Sequence, residues 1–109
     1  MKRGELWTVA GGSHYTGKPR PVLIIQDDRY DATDSVTVIP LTTTEVSAPL
    51  FRVAIPAREP SALAADSFVM VDKITTVSRA KLGSPVGRVS DRQLVAVDRS
   101  MIVFLGLAD

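Results

Sequence analysis

The apolar positions of this 109-residue chain fall into short blocks separated by polar or turn-forming stretches, with the period of strands over most of its length. The central block is Arg20-Pro21-Val22-Leu23-Ile24-Ile25-Gln26-Asp27-Asp28. Pro21 fixes its own φ and pushes Arg20 away from helical geometry, so both enter an extended segment. The unbroken run over 22–25 is too short for a membrane span and too β-branched for a comfortable helix. It predicts a central strand buried on both faces. Ahead of it, residues 5–10 predict a first strand with Leu6, Trp7 and Val9 as bulk. Gly11, Gly12, Gly17 and Pro19 make 11–19 a loop able to approach a ligand closely.

Beyond an acidic turn over 27–35, residues 36–41 predict a third strand, with Pro40 near an edge, a bulge or the strand end. Phe51, Val53 and Ile55 alternate with Arg52 and Ala54, the clearest period-two signal in the chain. Residues 56–66 read as a linker or a helical turn, 68–71 as a strand, 78–82 as one helical turn and 85–89 as a short last strand. One helix is predicted, at the end. Ser90 and Gln93 form a capping box, Asp91 suits the positive end of the helix dipole, and Leu94, Val97, Met101 and Phe104 or Leu105 recur at helical spacing. Gly106 is a natural stop. The sum is one domain over residues 1–109: a small, mostly antiparallel β-barrel or sandwich with a C-terminal helix on it. The helix's apolar residues are expected in the core, and Trp7 in the core or at a dimer interface.

Composition narrows the chemistry. Hydrophobic residues at 45% and charged residues at 23% describe a folded globular chain. With no cysteine, thiol nucleophiles, disulfides and zinc–thiolate sites are excluded, and a single histidine, His14, excludes a His-pair metal site within one chain. The N-terminus has no signal-like apolar segment and no window reaches membrane-spanning length, so a cytoplasmic location without membrane contact is expected. The net charge of +1 announces no partner, but its distribution does more. Residues 1–20 carry +3, residues 73–92 carry +4 and residues 27–34 carry −3. If the two basic segments meet in space, they make a positive surface suited to phosphates; if not, they are solvated faces.

Several residues have both a plain and a chemical reading. Arg20 is a surface charge before a strand, or a guanidinium facing a ligand from a rigid base. Thr42, Thr43 and Thr44 are β-favouring residues at a strand end, or three hydroxyls at a site. Asp72 caps a turn through Thr75, or lines the same site. His14 is an exposed loop histidine, a stacking partner for an unpaired base, or a general acid or base.

Five short blocks in order turn these alternatives into a pattern. Arg3-Gly4-Glu5-Leu6-Trp7, Arg20-Pro21-Val22-Leu23-Ile24-Ile25, Pro40-Leu41-Thr42-Thr43, Val71-Asp72-Lys73-Ile74-Thr75-Thr76 with Lys81-Leu82, and Val86-Gly87-Arg88-Val89 before a helix ending Leu105-Gly106-Leu107 resemble the MazF/PemK/Kid family of toxin endoribonucleases. The resemblance implies an SH3-like barrel with a C-terminal helix, a homodimer, and cleavage of single-stranded RNA at short sequences with no metal or other cofactor. It implies attack of the 2′-hydroxyl on the adjacent phosphate, leaving 2′,3′-cyclic phosphate and 5′-hydroxyl ends, and restraint by a cognate MazE-like antitoxin. That antitoxin is expected to be an acidic, partly disordered peptide over the Arg20 site and the dimer groove. By the same resemblance Arg20 and Thr42 are catalytic and Asp72 is the site carboxylate, with Lys73, Thr43, His14 and Lys18 as further RNA-binding candidates.

Arginine is rarely neutral, so Arg20 is expected as a charge stabiliser more than as a base. The chain departs from the pattern in a shorter first loop holding Ser13, His14, Tyr15 and Thr16, in Met70 where some members have arginine, and in Lys73 where glutamine is common. Two other functions fit a similar fold: a CcdB-like gyrase-poisoning toxin, which acts through an aromatic C-terminus that this chain lacks, and an SH3-like RNA-binding module without chemistry, which binds RNA but leaves it intact.

Overall fold

The computed structural model describes residues 1–10, 20–47 and 50–108. Its strands are β1 (Glu5–Val9), β2 (Arg20–Ile24), β3 (Ser35–Thr42), β4 (Arg52–Ile55), β5 (Ser67–Met70), β6 (Thr75–Ser78) and β7 (Leu82–Arg88), followed by helix α1 (Asp91–Phe104). All the pairings are antiparallel. The strand order is β4-β5-β3-β2-β1-β7, with β6 also on β3. No pairing joins β4 to β7 among the described residues, so the sheet is mainly β with one C-terminal helix, as expected, but is not closed into a barrel.

β2 and β3 organise the rest because both of their faces are apolar. Leu23, Ile39 and Leu41 join Leu6, Ile55, Val69 and Val97 in one core cluster, while Val22, Ile24, Val36 and Val38 form a second cluster with Trp7, Val9 and Leu82 against it. The pairs Val22–Pro40, Leu23–Ile39 and Ile24–Val38 set the register between them. A slip of one residue would exchange the contents of the two clusters, so burial on both sides locks the pairing.

β3 is long enough to pair twice along its other edge, with β6 through residues 35–38 and with β5 at Leu41 and Thr42. Pro40 lies in the interval between those partners, as suits a residue without a ladder donor. β6 was absent from the sequence pattern because Thr75, Thr76 and Ser78 are polar and exposed; it forms where β3 offers an unpaired edge. β7 begins at Leu82, earlier than its apolar residues suggest, and Pro85 sits opposite Trp7 at an irregularity of the β1–β7 ladder.

The helix is fastened at both ends. Ser90 N–H donates to Gln93 Oε1 at 2.7 Å and Gln93 N–H to Ser90 Oγ at 3.1 Å, which completes the capping box. At the far end Gly106, at φ +72°, lets Leu107 N–H reach the carbonyl of Ile102 and its own N–H that of Val103. Arg3 bonds both carboxylate oxygens of Asp98 and the carbonyl of Ile25, and the Ser100 hydroxyl donates to the carbonyl of Leu50. Yet only Val97 and Ser100 of α1 are fully buried, while Val95, Ile102, Val103 and Phe104 are exposed. The helix therefore packs through a narrower stripe than its sequence suggests.

The 56–66 connection crosses β7 at Gly87, where an added Cβ would stand 2.1 Å from the carbonyl oxygen of Ser61 and 2.8 Å from that of Pro60. Arg88 N–H donates to the same Pro60 carbonyl at 3.0 Å, so the backbone cannot back away without losing that bond. Gly87→Ala is expected to lower stability by about 1–3 kcal/mol, at the level of severe overpacking. A urea titration measures it.

Candidate functional site

Arg20 opens β2 and Thr42 closes β3, so two antiparallel neighbours bring them to the same end of the sheet. Continuing the Val22–Pro40 register by two residues sets Arg20 opposite Thr42. The two-residue period gives both the same face, that of Val22, Ile24 and Val38. On its other side Arg20 pairs with Val9 of β1, and Thr42 pairs with Phe68 of β5. Arg20 is exposed and Thr42 half-buried. Arg20 and Thr42 are thus neighbours on one face of two strands whose position the apolar clusters fix.

The hydroxyl is oriented. Thr42 Oγ1 accepts the backbone N–H of Thr44 at 3.1 Å, a local turn that leaves the hydroxyl proton available to donate elsewhere. Thr43 is exposed in the bend that follows. His14 and Lys18 lie outside the described residues.

Asp72 and Lys73 belong to the 3-10 turn Val71–Lys73 between β5 and β6, the two strands that flank β3 on the side away from Arg20. Asp72 is not an open carboxylate. Arg52 holds it with two hydrogen bonds, Nε to Oδ1 at 2.9 Å and Nη2 to Oδ2 at 3.2 Å, and Lys73 Nζ stands 3.9 Å from Oδ2. The Arg52 hydrogen bonds lower the Asp72 pKa, against a smaller opposing effect of burial, so the carboxyl stays ionised. The turn-capping alternative through Thr75 is not what forms.

Arg52 is the residue that the sequence did not single out, because twenty positions separate it from Asp72. The ladder explains its role: Arg52 pairs with Met70 across β4 and β5. The cation beside Asp72 therefore comes from the neighbouring strand, across from Met70. No group of three or more acidic or histidine side chains capable of holding a metal occurs among the described residues.

Residues 2–105 match a family described as PemK-like, MazF-like toxin of type II toxin–antitoxin system. The chain is 52% identical over 108 residues to "Probable endoribonuclease MazF" of Mycolicibacterium smegmatis, covering 99% of each. It is 30% identical over 117 residues to "Endoribonuclease MazF9" of Mycobacterium tuberculosis, covering 98% of each. Among solved structures it superposes with TM-score 0.82 and 26% identity on a mycobacterial endoribonuclease in complex with its cognate antitoxin, over 100% of this chain and 98% of that one.

The Arg52–Asp72 pair makes an acid-side prediction. A carboxyl whose folded pKa is depressed adds stability above its unfolded value of about 3.9, and that stability is lost as pH falls through the lower folded value. Asp72→Asn should therefore melt below the unsubstituted protein at pH 7, and the gap should close below about pH 4. Arg52→Met, which removes both guanidinium hydrogen bonds from the ionised carboxylate and leaves it only Lys73, should cost about 1–3 kcal/mol at pH 7. Thermal melts across pH follow both.

Proposed function

Because this chain belongs to the PemK-like, MazF-like family of type II toxins, we propose that it is an endoribonuclease toxin, an mRNA interferase that cuts single-stranded RNA at short sequences. The observation that carries this reading is the placement of Arg20 and Thr42 on one face at the shared end of β2 and β3. It is supported by the endoribonuclease names of relatives matched along nearly their whole length.

The chemistry follows from what in-line attack needs. The ribose 2′-oxygen adds to the adjacent phosphorus as the bond to the 5′-oxygen breaks. The 2′-proton leaves, the 5′-oxygen gains a proton, and the products are a 2′,3′-cyclic phosphate and a 5′-hydroxyl. The pentacoordinate phosphorane between them carries extra charge on its non-bridging oxygens. The Arg20 guanidinium offers paired donors in phosphate geometry, and the Thr42 hydroxyl adds a third donor without adding charge. Because the nucleophile belongs to the substrate, no metal is needed to activate water. Lys73 and Thr43 contact the strand beside the scissile phosphate, and the ionised Asp72, steadied by Arg52, presents acceptor oxygens to a base edge. His14 and Lys18, which precede Arg20 in the sequence, are further candidates for RNA contact.

A MazE-like antitoxin is the partner, as a relative solved with its cognate antitoxin suggests. The working form is a cytoplasmic homodimer. No described helix is long and apolar enough to cross a membrane. The outer face of α1, where Val95 and Ile102 stand exposed two turns apart, supports a second copy as its cover.

Two experiments test the reading. RNA incubated with the protein in EDTA should yield discrete 5′-hydroxyl fragments. Arg20→Ala should lower the cleavage rate by about 10²–10³-fold and Thr42→Val by about 10-fold or more, with both variants still folded by circular dichroism. Intact RNA, or full activity of Arg20→Ala, would overturn the assignment. Ile102→Asp, whose native side chain is 40% exposed, should shift the protein from dimer to monomer in light scattering without unfolding it.

A further inference from the structure

The two basic segments of the sequence meet, and the ladder shows where. Arg20 pairs with Val9 across β2 and β1, and Val9 pairs with Leu82 across β1 and β7, so Arg20, Val9 and Leu82 form one row on one face. Immediately before Leu82 is Lys81, the last residue of the 3-10 turn Arg79–Lys81. Its carbonyl accepts the N–H of Ala10 at 3.0 Å, which ties the turn to the end of β1 beside the row. Two strand spacings of about 4.8 Å therefore separate the Arg20 backbone from the Leu82 backbone. The long side chains of an arginine and a lysine span that interval between neighbouring phosphates of one strand.

The cations of this turn differ in their commitments. Arg79 is spent internally, on the carbonyl and hydroxyl of Thr33 and on the Met1 sulfur. Lys81 is exposed and makes no ion pair among the described residues. Lys73, also exposed, lies beyond β3 but off this row, since Phe68 is the residue opposite Thr42 and Lys73 follows it by five positions toward the middle of β3. The row at the site end of the sheet thus runs from Thr42 through Arg20 and Val9 to Leu82, with Lys81 at its β7 end.

Resting on the endoribonuclease reading, we propose that Lys81 is a phosphate-binding residue for the RNA strand. It grips a backbone phosphate on the β7 side of the scissile one and so fixes the direction in which the strand crosses the sheet. It is a positioning residue, because its contact is made equally in the bound and reacting states and does not change with the chemistry.

The test is steady-state cleavage of a short RNA by the full-length protein across a salt series, with Lys81→Gln, Lys81→Arg and, as a control at the far end of β1, Lys2→Gln. Lys81→Gln should raise KM about 5-fold with kcat unchanged, and should reduce the slope of log KM against log salt by about 0.7, the loss of one phosphate contact on a single strand. Lys81→Arg should restore both, and Lys2→Gln should alter neither. An active protein whose KM and salt slope ignore Lys81→Gln, or respond as strongly to Lys2→Gln, overturns the Lys81 assignment alone. Failure of the unsubstituted protein to cut RNA removes the endoribonuclease reading and this subsite with it.

Discussion

The pairing of β2 with β3 is the constraint on which the molecule depends. Both strands are apolar on alternate sides, and each side feeds a different core cluster: Leu23 and Ile39 one, Val22, Ile24 and Val38 the other. A strand with one solvated face has a looser choice of register, since only half of its side chains are penalised by a slip. Here every side chain is penalised. The same locked register places the first residue of β2 and the last residue of β3 together. Packing and site geometry are therefore one fact seen at two points along the same pair of strands.

Much of this was legible in the sequence, because the signals were local. Pro21 before four apolar residues marked β2, Ser90 with Gln93 marked the start of α1, and Gly106 marked its end. What was not legible depended on pairing at a distance. β6 has only Val77 as an apolar residue and owes its strand form to the free edge of β3. Arg52 reads as the polar half of an alternation until the β4–β5 ladder sets it against Met70 and within reach of Asp72. The helix's apolar residues were expected in the core, since periodicity reports an apolar stripe without saying how much of it a neighbour covers. Arg20 and Thr42 were legible as candidates from the resemblance, and their juxtaposition from the register alone.

The electrostatic layout divides the labour among the cations. Arg3 is occupied by Asp98 and the Ile25 carbonyl, Arg52 by Asp72, and Arg79 by Thr33 and Met1. These three tie elements together that are distant in sequence, so their charge is largely neutralised or turned inward. Lys81, exposed and in no ion pair among the described residues, is left with its charge directed outward. A net charge of +1 is thus compatible with a polyanionic substrate, because the sum hides which charges face outward.

The guanidinium of Arg20 is carried by a strand, not by the segment 11–19 that leads into it. The ladder with β3 sets that residue's station, so a core substitution that loosened the register would displace Arg20 and Thr42 relative to each other without touching either one.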